Sequence, residues 1–187
     1  AGFNKLYIQL RDNSFVMVSS YNEFLWPEGN LDNLKMLHRH FRVKDFTEKK
    51  IIDFYSAGEH MIVWCEEGIY YTGNESPLAL EERDDDELEN FSRLSFFDDK
   101  TVISINLSSI HIVVHGEEGL FVAGKHNIGR LGVGDCVDRA RFTAVNIDAK
   151  HITQVNLSGS TFIEVDGEWH MAGSFYNADR VDMHKVN

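Results

Sequence analysis

The stretch "GKHNIGRLGVGD", residues 124–135, packs four glycines into twelve residues directly behind a β-like run, "GLFVAG" (119–124). A phosphate-cradling loop is one reading of such a stretch. That chemistry needs a Gly-Lys-Ser/Thr ending, so that a lysine and a hydroxyl reach the phosphates. No such ending is present. A dinucleotide fingerprint would open a helix, yet the following "DCVDRARFTAV" (135–145) carries no apolar stripe of helical period. The loop therefore reads as structural, and the question is what it recurs in.

Three segments align. They are "IIDFYSAGEHMIVWCEEGIYYTGNES" from Ile51, "VISINLSSIHIVVHGEEGLFVAGKHN" from Val102 and "ITQVNLSGSTFIEVDGEWHMAGSFYN" from Ile152. His60 aligns with His111 and Thr161, and Gly73 with Gly124 and Gly173. The "EEG" at 66–68 recurs at 117–119 and becomes "VDG" at 165–167. The period is about 50 residues. A fainter copy, "YIQLRDNSFVMVSSYNEFLW", occupies 7–26.

Each unit predicts a short strand, a small-residue turn, a very apolar strand, a tight acidic or glycine turn, and a third strand. The strands flanking the tight turn form a hairpin. The middle strand is apolar at nearly every position, so it is expected to be buried on both faces. One such sheet cannot bury its own faces. Stacking sheets around an axis does, and that is the propeller solution.

Kelch-type blades would show paired glycines, and no Gly-Gly occurs. The glycine stretch instead resembles the G-x-N-x-x-G-Q-L-G-x-G loop of the chromosome-condensation-regulator repeat, with one extra residue before Asn127 and Arg130 in place of the usual Gln. "VNLSGSTFIEVDGEWHMAG" is similar to the strand pattern of the same repeat. The resemblance implies an all-β propeller of about four blades, with approximate repeats 1–49, 50–100, 101–150 and 151–187 in a single partial domain. It implies that Gly124, Gly129, Gly132 and Gly134 allow positive φ or close backbone approach, that Asn127 bonds back to the backbone, and that Leu131 plugs the gap between sheets. His60 and His111 are expected to hydrogen-bond inside their own blades. Family rings usually have seven blades, so an incomplete ring, finished by another chain or segment, is expected. "KLYIQL" (5–10) and "RVDMHKV" (180–186) are candidate closing strands.

The formal net charge of -12 disfavours phosphate backbones and anionic membranes, so neither nucleic acid nor a bilayer is expected as partner. A basic protein partner fits better. No apolar run approaches the ~18 residues that span a bilayer. Cys65 and Cys136 are too few for a disulfide framework, which is consistent with an intracellular, reducing setting. The acidic run "EERDDDELEN" (81–90) stands where the second unit would carry its glycine loop. Asp84, Asp85, Asp86 and Glu87 are thus candidates for docking a basic partner, and Trp26, beside Pro27, is a candidate rim anchor.

No catalytic residue, cofactor or metal ion is expected. No nucleophile elbow is present. "LHRHF" (37–41) sets His38 and His40 two apart, without a supporting ligand, and reads as a surface pair. The resemblance implies protein binding. A non-enzymatic interaction module is the first reading. Exchange or regulation of a Ran-like small GTPase is the second.

Overall fold

The computed structural model describes residues 4–11, 13, 15–20, 38–43, 46, 48–58, 60–73, 91–147, 152–175 and 178–186. The acidic run and Trp26 lie outside them. The chain forms four consecutive antiparallel sheets, each a meander in sequence order. The first contains β1 (Asn4–Gln9), β2 (Phe15–Ser20) and β3 (His38–Val43). The second contains β4 (Ile51–Ala57), β5 (His60–Cys65), β6 (Gly68–Thr72) and the short β7 (Ser92–Arg93). The third contains β8 (Val102–Leu107), β9 (His111–Gly116), β10 (Gly119–Gly124) and β11 (Arg139–Ala144). The fourth contains β12 (Ile152–Leu157), β13 (Thr161–Val165), β14 (Glu168–Phe175) and β15 (Ala178–Lys185). The sheets stack through their first strands, β4 beside β8 and β8 beside β12.

Side chains alternate across a strand, so a strand buried on both faces feeds two different cores. In β5, Ile62 joins a core shared with the third sheet, built with Ile105, Ile112, Val114 and Phe121. Its neighbours Met61 and Val63 face the opposite way, onto Phe46 and Phe91. In β9, Val113 turns from that shared core to one with Ile163 and Val165 of the fourth sheet. The cores thus lie between sheets, as stacking around an axis requires.

The fourth sheet departs from the expectation of double-sided burial. In β13, Thr161, Ile163 and Val165 are buried against the third sheet, whereas Phe162 and Glu164 are only half-buried. That alternation marks a sheet with one covered face and one partly open face, which is the signature of an open arc. The two candidate closing strands each pair within their own sheet. "KLYIQL" falls largely in β1, which pairs with β2, and "RVDMHKV" falls largely in β15, which pairs with β14. Each is used locally, as the next strand of its own meander, because a tight reversal brings it there at little loop-closure cost.

The sequence reading also stops one strand short in each unit. β7, β11 and β15 complete four-stranded sheets. β7 is two residues long, and "RARFTA" of β11 carries two arginines and a threonine in six residues, so neither carries an apolar alternation strong enough to announce a strand.

Candidate functional site

The glycine loop leaves β10, passes between the third and fourth sheets and returns as β11. Leu131 is fully buried in the core between those sheets, among Val113, Val122 and Ile163. Two glycines are demanded by the geometry. A Cβ on Gly124 (φ +118) would sit 2.5 Å from the Ile110 carbonyl oxygen, and one on Gly132 (φ +68) would sit 2.9 Å from Met183 Cε. The Gly134 amide donates to the Val181 carbonyl at 2.9 Å, tying the loop to β15.

The loop is organised by His126, which is wholly buried. Its Nδ1 accepts the Leu131 amide at 2.9 Å, which in the neutral ring puts the proton on Nε2. Nε2 faces Asp135 Oδ1 at 3.5 Å, too long for a firm hydrogen bond, and makes none. Burial lowers the His126 pKa, against an opposing pull from Asp135. The Val137 amide and then Arg139 hold the Asp135 carboxyl low, and Lys125 does the same for Asp138. Asp138 Oδ1 accepts the His126 amide at 2.7 Å.

This geometry removes the phosphate reading on physical grounds. A phosphate cradle needs free backbone amides. Here those of Lys125, His126, Gly129, Leu131, Gly132 and Gly134 are already donated within the chain. Ionised Asp135 and Asp138 add repulsion.

Arg130 is 6% exposed. Its Nη2 donates to Asn127 Oδ1 at 2.8 Å, but Nε and Nη1 are buried without a partner. Burial lowers its pKa accordingly. The Arg130 carbonyl accepts the Thr161 hydroxyl proton at 2.7 Å, and Thr161 Oγ1 lies 3.0 Å from His111 Nε2. A hydroxyl has one proton. Since the carbonyl takes it, Thr161 must accept from His111, which fixes the Nε2–H tautomer. His111 Nδ1 then lies 2.8 Å from Ser108 Oγ. His111 is fully buried, and burial, followed by the charge of Arg130, pushes its pKa down to about 3.

Both histidines hydrogen-bond inside their own blades, and His111 also bonds beyond its own. His60 bonds inside its own sheet, Nδ1 to Tyr71 Oη at 2.7 Å. His111 does so through Ser108 and also reaches across to the next sheet.

The opposite end of the arc carries a second repeated feature. β4, β8 and β12 each shift register after their first residue, at Ile51/Asp53, Val102/Ser104 and Ile152/Gln154. The bulged residues are Ile52, Ile103 and Thr153. Ile52 and Ile103 are each 51% exposed. Beside them, Ile51, Val102 and Ile152 are partly exposed. The pairings Ile51 with Cys65, Val102 with Gly116 and Ile152 with Val165 bring the hairpin turns 66–67, 117–118 and 166–167 to this same end. The Glu66 amide bonds the Lys50 carbonyl and the Glu117 amide bonds the Thr101 carbonyl, each at 3.0 Å. Acidic turns thus sit next to an apolar band.

No protein-family model matches the sequence, and no curated protein matches it either. Solved structures do. Human WBSCR16 aligns over 100% of this chain and 52% of its own, with a TM-score of 0.69 at 15% identity. Prp20p from Saccharomyces cerevisiae, described with its binding properties to Gsp1p and histones, aligns over 94% of this chain and 50% of its own, with a TM-score of 0.65 at 16% identity. The fold is a β-propeller of the chromosome-condensation-regulator type. The chain spans about half the length of these structures.

In propeller terms, the second, third and fourth sheets are complete four-stranded blades, and Leu131 of the glycine loop sits between the last two. Sequence reasoning missed the bulged apolar band. The signal was available as the matched pairs "II" at 51–52 and "VI" at 102–103, read only as strand residues. Among the described residues no helix is long and apolar enough to cross a membrane, and no group of three or more His, Cys, Asp or Glu is placed to hold a metal ion.

Proposed function

We propose that this chain is a non-enzymatic protein-interaction module of the chromosome-condensation-regulator family, working inside the cell as one propeller domain. The observation that supports it is the half-open face of β13 on a strongly acidic arc. A partly open sheet face leaves apolar surface for a neighbour to cover. An acidic surface selects a basic partner by steering and by exclusion of like charge. Asp84, Asp85, Asp86 and Glu87 concentrate that charge, and Trp26 supplies an aromatic anchor.

The test is binding of a fluorescein-labelled oligolysine peptide, read by anisotropy across a salt series. Affinity that falls steeply with salt, and weakens on replacing Asp84, Asp85 and Asp86 by Asn, supports the reading. Absence of binding at low salt rejects it.

The likeness to Prp20p favours a second reading, a nucleotide exchange factor or regulator of a Ran-like small GTPase. Release of a mant-nucleotide from a panel of such GTPases would accelerate in its presence. No acceleration across the panel removes this reading.

A further inference from the structure

The bulged Ile52 and Ile103 belong to none of the cores between sheets, whereas Ile51, Val102 and Ile152 beside them pack against those cores. A bulge lifts its extra residue out of the ladder and re-aims the side chain. Such positions tolerate polar residues, as Thr153 in the fourth sheet shows. In the second and third blades the same position instead holds Ile, half in water. Exposed β-branched apolar groups thus stand at matched sites on adjacent first strands, beside partly exposed Ile51 and Val102. Ile103 lies on a blade whose first strand packs beside both β4 and β12, so the open end of the arc does not explain its exposure.

Glu66, Glu67, Glu117 and Glu118 occupy the two hairpin turns, with Lys49, Lys50, Arg93 and Lys100 close by. Lys50 is bonded to Glu66, and Lys100 lies 4.0 Å from Glu118. Among the described residues neither Glu67 nor Glu117 makes an ion pair, although Lys49 and Lys50 lie close enough to Glu67 to feel its charge. Two carboxylates beside an apolar strip, each on a rigid two-residue turn, are placed to receive cations. A second copy of this chain is a poor occupant, because both surfaces would carry the same sign. A ring-completing segment would lie against the Phe162 side of β13, not on this end.

We propose that the hairpin-turn end of the propeller docks a basic segment of a protein partner, with apolar side chains on Ile52 and Ile103 and cations on Glu67 and Glu117. The inference rests on the interaction-module reading and adds the surface and the partner's chemistry.

The test uses the whole 187-residue chain. Two labelled probes are compared by anisotropy, a short peptide alternating Lys with Leu and the oligolysine peptide. The alternating peptide is expected to bind about tenfold more tightly. Ile52→Ser with Ile103→Ser should remove that advantage and leave oligolysine binding unchanged. Glu67→Gln with Glu117→Gln, which alters charge without touching packing, should weaken both probes and flatten their salt dependence. Equal affinity of the two peptides, or an advantage that survives both isoleucine changes, overturns the inference and leaves the module reading standing. Failure of both probes to bind overturns both.

Discussion

His111 and Thr161 each open the second strand of their blade, and they bond to each other across the blade boundary, Nε2 to Oγ1 at 3.0 Å. One structural position thus does two jobs. In the third blade it donates forward. In the fourth it accepts, and passes its own proton to the Arg130 carbonyl at 2.7 Å. The glycine loop is held between the two blades by this relay as well as by Leu131.

Thr161→Val keeps the shape and deletes the relay. It strands a buried His111 N–H and the Arg130 carbonyl, at about 1–3 kcal/mol for the unsatisfied groups. Urea denaturation should show that loss, with Thr161→Ser retaining most of the stability. A Val variant as stable as the parent would mean that the relay contributes nothing.

Burial of His111 sets a pH dependence. Its pKa is about 3 in the fold, against 6.5 ordinarily, so between those values the unfolded chain binds the extra proton and the folded one does not. The contribution is full above pH 6.5 and is lost progressively as pH falls toward 3. Buried His126, also lowered, acts in the same direction. Stability measured by urea at pH 7.5, 6 and 4.5 should therefore decline, by a few kcal/mol in all. His111→Gln should be less stable at neutral pH and show a shallower decline. An unchanged slope would remove His111 as its source.

Gly132→Val places a branched side chain at φ +68, where Met183 Cε and Ala172 Cβ already stand 2.9 and 3.1 Å from a bare Cβ. Strain and overlap together should cost more than ~1 kcal/mol. A melting temperature equal to the parent's would show that the loop can relax.

Arg130 stands where the resembled loop usually carries Gln. Two of its buried nitrogens have no partner. Arg130→Gln removes a desolvated charge and retains an amide able to bond Asn127. It should raise stability by about 1 kcal/mol, read as a higher urea midpoint. A clear loss instead would mean that the guanidinium is satisfied by ordered water.

Much of this was readable from residues. The spacing of "EEG", "EEG" and "VDG" located the β5–β6, β9–β10 and β13–β14 hairpins, because two-residue turns leave a strong local signature. The near-continuous apolar runs at 61–65 and 112–115 located strands buried on both faces. "TFIEV" reads less plainly, since Glu164 interrupts it, and the structure shows why: that face is partly open. The fourth strands were not readable, because an outer strand is half solvated and needs little apolar alternation. The His111–Thr161 bond was not readable either. The alignment placed the two residues at equivalent positions, which suggested parallel roles and not a contact. Only the stacking of one blade on the next brings equivalent positions together.

The two faces of β13 give the sharpest test of the open arc. Ile163 is fully buried between blades, and Phe162, one residue earlier, is half-buried on the other face. In the isolated chain Ile163→Ser should cost about 3 kcal/mol or more, through lost burial and a stranded hydroxyl. Phe162→Ser should cost less, because that side chain is only partly buried. The order reverses in assembly. If a neighbour covers the Phe162 face, native mass measurement should find a particle heavier than the 21.4 kDa chain, and Phe162→Ser should return it to that mass while leaving the fold intact. A parent particle that weighs no more than one chain would mean that the open face has no neighbour of its own kind. Equal losses at the two positions would mean that the face is not open.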